Sequence, residues 1–65
     1  MDIWVNGKRV VTEARTVDEL ARELFGSPEV LLIEYNGRAL TRAEWGEIGL
    51  SSGDRVEVLR ISAGG

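Results

Sequence analysis

The stretch VLLIEY, residues 30–35, is the most apolar run in the chain, and the dipeptide Asn36-Gly37 follows it directly. A six-residue run with five apolar or aromatic residues, ended by Asn-Gly, is typical of a strand that enters a tight turn, because both turn residues tolerate a positive φ. The run therefore predicts a central strand. Side chains alternate along a strand. The buried face is expected to carry Leu31, Ile33 and Tyr35, and the outward face Leu32 and Glu34.

A second Asn-Gly dipeptide, Asn6-Gly7, lies between two shorter alternating stretches near the N-terminus. A two-residue turn at this point pairs Ile3 with Val10 on the buried face and leaves Trp4 opposite Arg9 on the outer face. Trp4 then has two open interpretations. It is either shielded by the Arg9 guanidinium in a cation–π pair, or it is a contact for a partner protein.

The helix of this fold is predicted over residues 17–25, where the apolar residues recur at the spacing of one helical face. Thr16 and Glu19 form a capping-box pattern at its start, and Gly26 followed by proline ends it. The acidic residues on its outer face are interpreted as a solvated surface.

The C-terminal half of the chain contains an irregular stretch, residues 41–50, and a last strand, residues 55–61. The irregular stretch has no clean period, so we expect turns with one short helix near residues 43–45. Trp45 is interpreted as a lid over the edge of the core. The core itself is predicted to contain Ile3, Val10, Leu20, Leu24, Ile33, Val56 and Val58.

Composition excludes several classes of function. The chain has 65 residues, no cysteine, no histidine and a net charge of −3. A domain of this size buries only about 60% of its unfolded surface, which argues against a deep active site. Without cysteine or histidine it lacks thiolate nucleophiles, the usual zinc ligands and the commonest general base. No basic stripe favours nucleic acid, and no apolar run is long enough for a membrane span, so we expect a cytoplasmic protein.

The chain ends in Ser62, Ala63, Gly64 and Gly65. Two terminal glycines bury no side chain and are costly to order, so they have no packing use. One interpretation is a working end that threads a narrow slot and delivers the Gly65 carboxylate to another protein. The alternative is a frayed terminus of small residues.

An apolar partner surface is predicted beside this terminus. Leu59 and Ile61 fall on the strand face opposite Val56 and Val58, and exposed aliphatic side chains commonly mark interaction sites. The candidate partner-binding residues are Trp4, Leu32, Leu59, Ile61 and, in the terminal segment, Ala63.

The order strand, strand, helix, strand, irregular segment, strand predicts an α+β roll in which one helix packs on a mixed sheet of four to five strands. Its first and last strands are expected to run side by side in parallel. With the Gly-Gly end, this order resembles the ubiquitin-like β-grasp family. Within that family, NGRALTRAEW at residues 36–45 and GDRVEV at residues 53–58 resemble the ThiS-type sulfur carriers. Thr41 and Ala63 depart from residues common in those carriers, proline and glycine.

The resemblance implies a β-grasp domain over residues 1–61 and a flexible reactive tail over residues 62–65. An adenylating enzyme of the ThiF type would use Mg-ATP to activate the Gly65 carboxylate, with Gly64 beside it. A cysteine desulfurase or another persulfide donor would supply sulfur and leave a thiocarboxylate. A ThiG-type thiazole synthase would use that sulfur in thiamin biosynthesis. The protein would then be a co-substrate rather than an enzyme, with no bound cofactor or metal.

Other functions remain open for the same tail. A carrier of this type could serve molybdopterin synthesis or tRNA thiolation instead of thiazole formation. A ubiquitin-like protein modifier would share the adenylation step and join Gly65 to lysines. A β-grasp interaction domain with an incidental tail would use none of this chemistry.

Overall fold

A five-stranded mixed sheet with one α-helix forms the part of the chain that the computed structural model describes, residues 1–26 and 31–60. The elements, in chain order, are β1 (Asp2–Val5), β2 (Lys8–Val11), α1 (Val17–Phe25), β3 (Leu31–Tyr35), β4 (Arg38–Ala39), a 3-10 helix (Arg42–Gly46) and β5 (Arg55–Arg60). The strand order is β2-β1-β5-β3-β4. The predicted α+β roll is confirmed, and the middle of the sheet is β5, with β3 beside it.

The pairing of β5 confirms the expected parallel contact between the first and last strands. β1 runs parallel to β5, with Trp4 aligned to Arg55, whereas β3 runs antiparallel to β5. The predicted strand residues Val30 and Ile61 lie outside the described residues. Because β5 has a neighbour on each side, it is the strand to which both halves of the chain attach.

The first hairpin has the predicted register, with Ile3 opposite Val10 and Trp4 opposite Arg9. Asn6 and Gly7 have φ values of 52° and 80°, which is the backbone conformation that an Asn-Gly turn supplies at low cost. The Arg9 guanidinium pairs with the carboxylate of Asp2 at 2.7 Å. Its charge is thus directed to that carboxylate, and Trp4 stays 42% exposed.

Helix α1 has the predicted bounds. The Thr16 hydroxyl accepts a hydrogen bond from the Glu19 amide at 3.1 Å. The Glu19 carboxylate accepts from the amide of Arg15 at 2.8 Å, one residue earlier than a capping box requires. Gly26 ends the helix with φ 76° and donates its N–H to the Arg22 carbonyl at 2.9 Å. Local signals at both ends therefore define this helix.

The core lies between α1, the 3-10 helix and the inner face of the sheet. Its buried hydrophobic residues are Ile3, Val5, Ala14, Val17, Leu20, Ala21, Leu31, Ile33, Leu40, Trp45, Leu50, Val56 and Val58. Trp45 is deeper than the predicted lid, at 1% exposure, and the Arg42 guanidinium lies 4.4 Å from its ring centroid. Its indole therefore fills the space under the irregular stretch.

Two residues of the predicted core are placed differently by the structure. Val10 is only partly buried and packs against the margin of the core. Leu24 is 37% exposed, although it lies seven residues after Val17 on the same helical face. Leu24 lies in the last turn of the helix, beyond the buried residues Val17, Leu20 and Ala21. The helical period therefore identified the buried face correctly but predicted that it continues one turn too far.

The asparagine side chains of the two Asn-Gly turns both bind the backbone of β5. The Val58 amide donates to Asn6 Oδ1 at 2.7 Å, and Asn6 Nδ2 donates to the Val58 carbonyl at 3.2 Å. On the other side, the Arg55 amide donates to Asn36 Oδ1 at 2.8 Å. Asn6 thus extends the pairing with β5 after β1 has turned away, because its side-chain amide offers the donor and acceptor of a peptide group.

We expect alanine at Leu20 or Ile33 to lower the free energy of unfolding by about 2–5 kcal/mol, because each change leaves a cavity in a closely packed core. Urea denaturation measures the loss. Leu24→Ala is the matched control and should cost clearly less, since Leu24 is partly exposed. Equal losses for Leu24→Ala and Leu20→Ala would contradict the burial described above.

We expect Asn6→Gly to destabilise the protein by about 1–3 kcal/mol, because glycine keeps the positive φ but removes both hydrogen bonds to Val58. Hydrogen exchange should show reduced protection of the Val58 amide. Lys8→Ala, at an exposed position of the same hairpin, is the control and should be close to neutral. Unchanged protection at Val58 would show that the side-chain amide does not hold β5.

Candidate functional site

The predicted reacting end follows β5 directly. Arg60, the last residue of β5, is aligned with Leu31 in β3, so the strand is paired up to its final residue. Residues 61–65 lie outside the described residues, and with them the predicted site residues Ile61, Ala63, Gly64 and Gly65. What the structure describes is the strand from which that segment leaves and the surface around it.

The ionisable groups with clearly shifted pKa values near β5 lie at its opposite end. The Tyr35 hydroxyl donates to Asp54 at 2.6 Å, and this bond, together with burial and the carboxylate charge, raises the pKa of Tyr35. Burial works against ionisation of Asp54, but hydrogen bonds from Tyr35, Ser51 and Asn36 outweigh it and lower the pKa of Asp54. These contacts fix the turn before β5, so we interpret the cluster as structural.

Glu44 is the third ionisable group with a clearly shifted pKa. The amide of Thr41 donates to it at 2.8 Å, and Arg38 pairs with it at 3.1 Å. The bond from the Thr41 backbone is the largest cause of the lowered pKa of Glu44, followed by the bond from Arg38. This carboxylate holds the start of the 3-10 helix against β4, which is also a structural role.

The outer face of the sheet brings together two of the predicted partner-binding residues. Leu32 in β3 and Leu59 in β5 are direct cross-strand neighbours, and they are 53% and 63% exposed. Trp4 lies on the same face, but it is aligned with Arg55, four residues from Leu59 along β5. Four strand residues span roughly 13 Å, so Trp4 is not part of the leucine pair.

Two hollows on the outer face reflect this separation. One, of about 460 Å³, is lined by Leu32, Ile33, Glu34, Ala39, Leu40, Glu57 and Leu59. The other, of about 270 Å³, is lined by Trp4, Gly7, Arg55 and Glu57. Glu57 borders both hollows. We call the first the leucine hollow; it combines an apolar surface with two carboxylates.

The carboxylates of the leucine hollow, Glu34 and Glu57, are directly opposed across β3 and β5. Opposed residues have Cβ atoms roughly 4.5–5.5 Å apart, and like charges at that distance are unfavourable. Within residues 1–26 and 31–60, neither carboxylate has a cation within ion-pair distance. The ion pairs found there are Arg9–Asp2, Arg22–Asp18, Arg38–Glu44 and Arg42–Asp18. The acid pair is thus an uncompensated charge beside an apolar surface.

Sequence reasoning placed Glu34 outward but did not find its partner. Strand alternation also assigns Glu57 to the face opposite Val56, so both carboxylates were visible as outward residues. Their opposition depends on the register between β3 and β5, two strands that are separated by about twenty residues of chain. No local turn fixes that register, so the pair becomes visible only in the folded sheet.

Residues 1–26 and 31–60 contain no cluster of three or more His, Cys, Asp and Glu side chains that could hold a metal ion. No helix of residues 1–26 and 31–60 is long and apolar enough to cross a membrane.

Comparison with protein families gives a match between residues 4–65 and the model of the ThiS family. The chain belongs to the ThiS family. The match reaches the terminal Gly64-Gly65, so the assignment covers the predicted reacting end as well as the folded domain. The sequence-based resemblance to ThiS-type proteins is confirmed.

A solved structure supports the assignment. The chain is similar to the thiamine biosynthesis protein ThiS from Geobacter metallireducens, with 32% sequence identity, a TM-score of 0.83 and full coverage of both chains. Because both chains are covered in full, the likeness in fold extends over the whole of that ThiS chain rather than over a shared substructure. Comparison with curated proteins gives no match.

We expect Glu34→Gln to raise the free energy of unfolding by about 0.2–1 kcal/mol, because it removes the repulsion from Glu57 across the strands. Added salt screens charges at the surface, so the gain should shrink as the salt concentration rises. Glu13→Gln, which removes an exposed carboxylate outside both hollows, is the control for net charge. A loss of stability in Glu34→Gln would contradict the opposed arrangement of the two carboxylates.

Proposed function

We propose that this protein is a sulfur carrier of thiamin biosynthesis and that sulfur is carried as a thiocarboxylate on Gly65. The observation that carries the proposal is the ThiS family match, which extends through the terminal Gly64-Gly65. The likeness to the thiamine biosynthesis protein ThiS from Geobacter metallireducens supports it over the full length.

The chemistry of the carrier follows from its terminal carboxylate. A carboxylate is an anion that nucleophiles do not attack, so it must first become an acyl donor. We propose that a ThiF-type enzyme transfers AMP from Mg-ATP to the Gly65 carboxylate. A persulfide, supplied by a cysteine desulfurase or a related donor, then attacks the acyl-adenylate and displaces AMP, which gives an acyl disulfide. A second thiol attacks the persulfide donor's sulfur in this acyl disulfide, is oxidised to a disulfide with the donor, and leaves the sulfur on Gly65. The thiocarboxylate that results would deliver its sulfur to a ThiG-type thiazole synthase.

The composition of the chain supports a role as co-substrate rather than as enzyme. The chain has neither cysteine nor histidine, so it offers no thiol to hold sulfur and no imidazole to transfer protons. A terminal thiocarboxylate needs neither group. In this proposal the nucleotide and its magnesium ion are bound by the activating enzyme.

The fold supports the proposal by giving the terminal segment a fixed origin. β5 is paired with β1 and β3 and is held by both turn asparagines. A segment that follows such a strand starts from a defined position, the paired residue Arg60. Small residues at its end suit a narrow channel, because glycine has no Cβ and approaches other backbones closely.

Mass spectrometry of the intact protein tests this function. After incubation with Mg-ATP, the cognate activating enzyme, a persulfide donor and a thiol reductant, we expect a mass gain of one sulfur in place of one oxygen at Gly65. Adding the thiazole synthase and its other substrates should reverse the gain. Gly64→Ala should be activated poorly and deletion of Gly65 should abolish activation, because a slot shaped for glycine rejects a Cβ.

Gly46→Ala is the matched control, since a Cβ at Gly46 meets no atom within 4 Å, and it should be activated normally. Retention of the sulfur with thiazole synthase and its release by a molybdopterin or tRNA-thiolation enzyme would reassign the acceptor. Adducts joined to lysines would indicate a protein modifier. A wild-type chain that stays at its original mass would refute the carrier function.

A further inference from the structure

We propose that the Asn36-Gly37 turn is a site of spontaneous deamidation in the folded protein, whereas the Asn6-Gly7 turn, with the same dipeptide, is protected by its contacts with β5. The modification converts the side-chain amide of Asn36 into a carboxyl group, and water is the co-reactant. The inference concerns the chemical stability of the folded domain and does not depend on the function proposed above.

Asparagine followed by glycine is especially open to this reaction, because glycine has no Cβ to hinder the approach of its nitrogen to the asparagine side chain. The Gly37 nitrogen gives up its proton and forms a bond to Asn36 Cγ. The bond from Cγ to Nδ2 breaks, and the amide group leaves with one added proton as ammonia. Water then opens the cyclic imide at either carbonyl and gives aspartate or isoaspartate, so the reaction needs no oxidant or reductant.

The two Asn-Gly turns have closely matched backbones. Asn6 and Asn36 have φ values of 52° and 48°, and the glycines that follow them have φ values of 80° and 88°. Each dipeptide joins two antiparallel strands as a two-residue turn. We therefore attribute a difference in reactivity to the side-chain contacts of the two asparagines.

Those contacts differ in strength, and the reaction requires the side-chain amide to leave them and turn toward the next backbone nitrogen. Asn6 is held by two hydrogen bonds to the backbone of Val58, at 2.7 and 3.2 Å, and Val58 is buried. Asn36 accepts a bond from the Arg55 amide at 2.8 Å. Its second bond, from Nδ2 to the Asp54 carboxylate, is 3.3 Å long and lies at the exposed surface.

Release of the Asn36 amide therefore costs less than release of the Asn6 amide. A bond to the backbone of a buried strand residue opens only with the strand around it, whereas a bond to a surface side chain is readily exchanged for water. A difference of one hydrogen bond changes the population of the released side chain by about fivefold. Asn36 should react faster than Asn6 by that factor.

Deamidation at Asn36 would alter the turn that precedes β5. The Asn36 amide now donates to Asp54, and after conversion a second carboxylate would face the Asp54 carboxylate instead. Asp54 also accepts bonds from the Tyr35 hydroxyl and the Ser51 amide, at 2.6 and 2.8 Å. The new charge would thus repel the residue that fixes this turn, so we expect the modified domain to be less stable.

Peptide mapping tests the proposal. The folded protein is incubated at mildly alkaline pH, which favours loss of the glycine N–H proton, and samples are digested with trypsin at successive times. Trypsin cleaves after Lys8 and Arg38, so the two asparagines appear in different peptides. Mass spectrometry measures the replacement of NH2 by OH in each peptide. A parallel incubation in guanidinium chloride gives both rates in the unfolded chain.

We expect the folded protein to lose the Asn36 amide about fivefold faster than the Asn6 amide, and the unfolded chain to lose both at similar rates. In the unfolded chain Gly37→Ala should slow the loss at Asn36 and leave Asn6 unchanged, because a Cβ hinders the attacking nitrogen. The variant Asn36→Asp reproduces one product. Its melting temperature should be lower by about 4–8 °C, the effect of losing one hydrogen bond in a domain of this size.

Equal rates at the two asparagines of the folded protein would overturn the proposal, as would faster loss at Asn6. A folded protein that keeps the Asn36 amide while the unfolded chain loses it would overturn it as well, because both turns would then be protected. If the two rates differed as much in guanidinium chloride as in the folded protein, the neighbouring sequence rather than the contacts with β5 would be the cause. An unchanged melting temperature in Asn36→Asp would contradict the expected damage to the turn.

Discussion

The position of β5 between β1 and β3 is the constraint on which the rest of the structure depends. Neither neighbour is adjacent to β5 in sequence, so each pairing closes a long loop and carries an entropic cost. Asn6 and Asn36 help to meet that cost by binding the β5 backbone from the turns that end β1 and β3. The same residues that reverse the chain therefore also hold its last strand.

Charged groups are arranged differently at the start and in the middle of β5. Near its start, Asp54 is held by several hydrogen bonds, and its lowered pKa reflects a stabilised carboxylate. In its middle, Glu57 faces Glu34 with no compensating cation among the described residues. Shifted pKa values often indicate functional sites, but here they mark the structural cluster. The opposed acids, in contrast, are an unrelieved repulsion on the exposed face of the sheet.

The proposed division of labour follows from the size of the chain. A small domain cannot enclose a reaction, but it can present a surface and fix the origin of a segment that reacts elsewhere. In the function proposed for this ThiS family protein, the terminal carboxylate carries the chemistry, and the folded domain fixes the strand from which that segment leaves. The proposed reacting group and the folded domain are then separate parts that β5 connects.

Local patterns in the sequence predicted the helix bounds, the register of the first hairpin and the faces of the strands. Residues 36–45 and the Gly-Gly end also indicated the family. Each of these depends on neighbours within a few residues, as with Thr16 and Glu19 at the start of α1. Only the tertiary structure decided that Leu24 is exposed, that Trp45 is fully buried, that Trp4 is separate from Leu59 and that Glu34 opposes Glu57. Those features depend on the register and packing of elements distant in sequence, which no local pattern specifies.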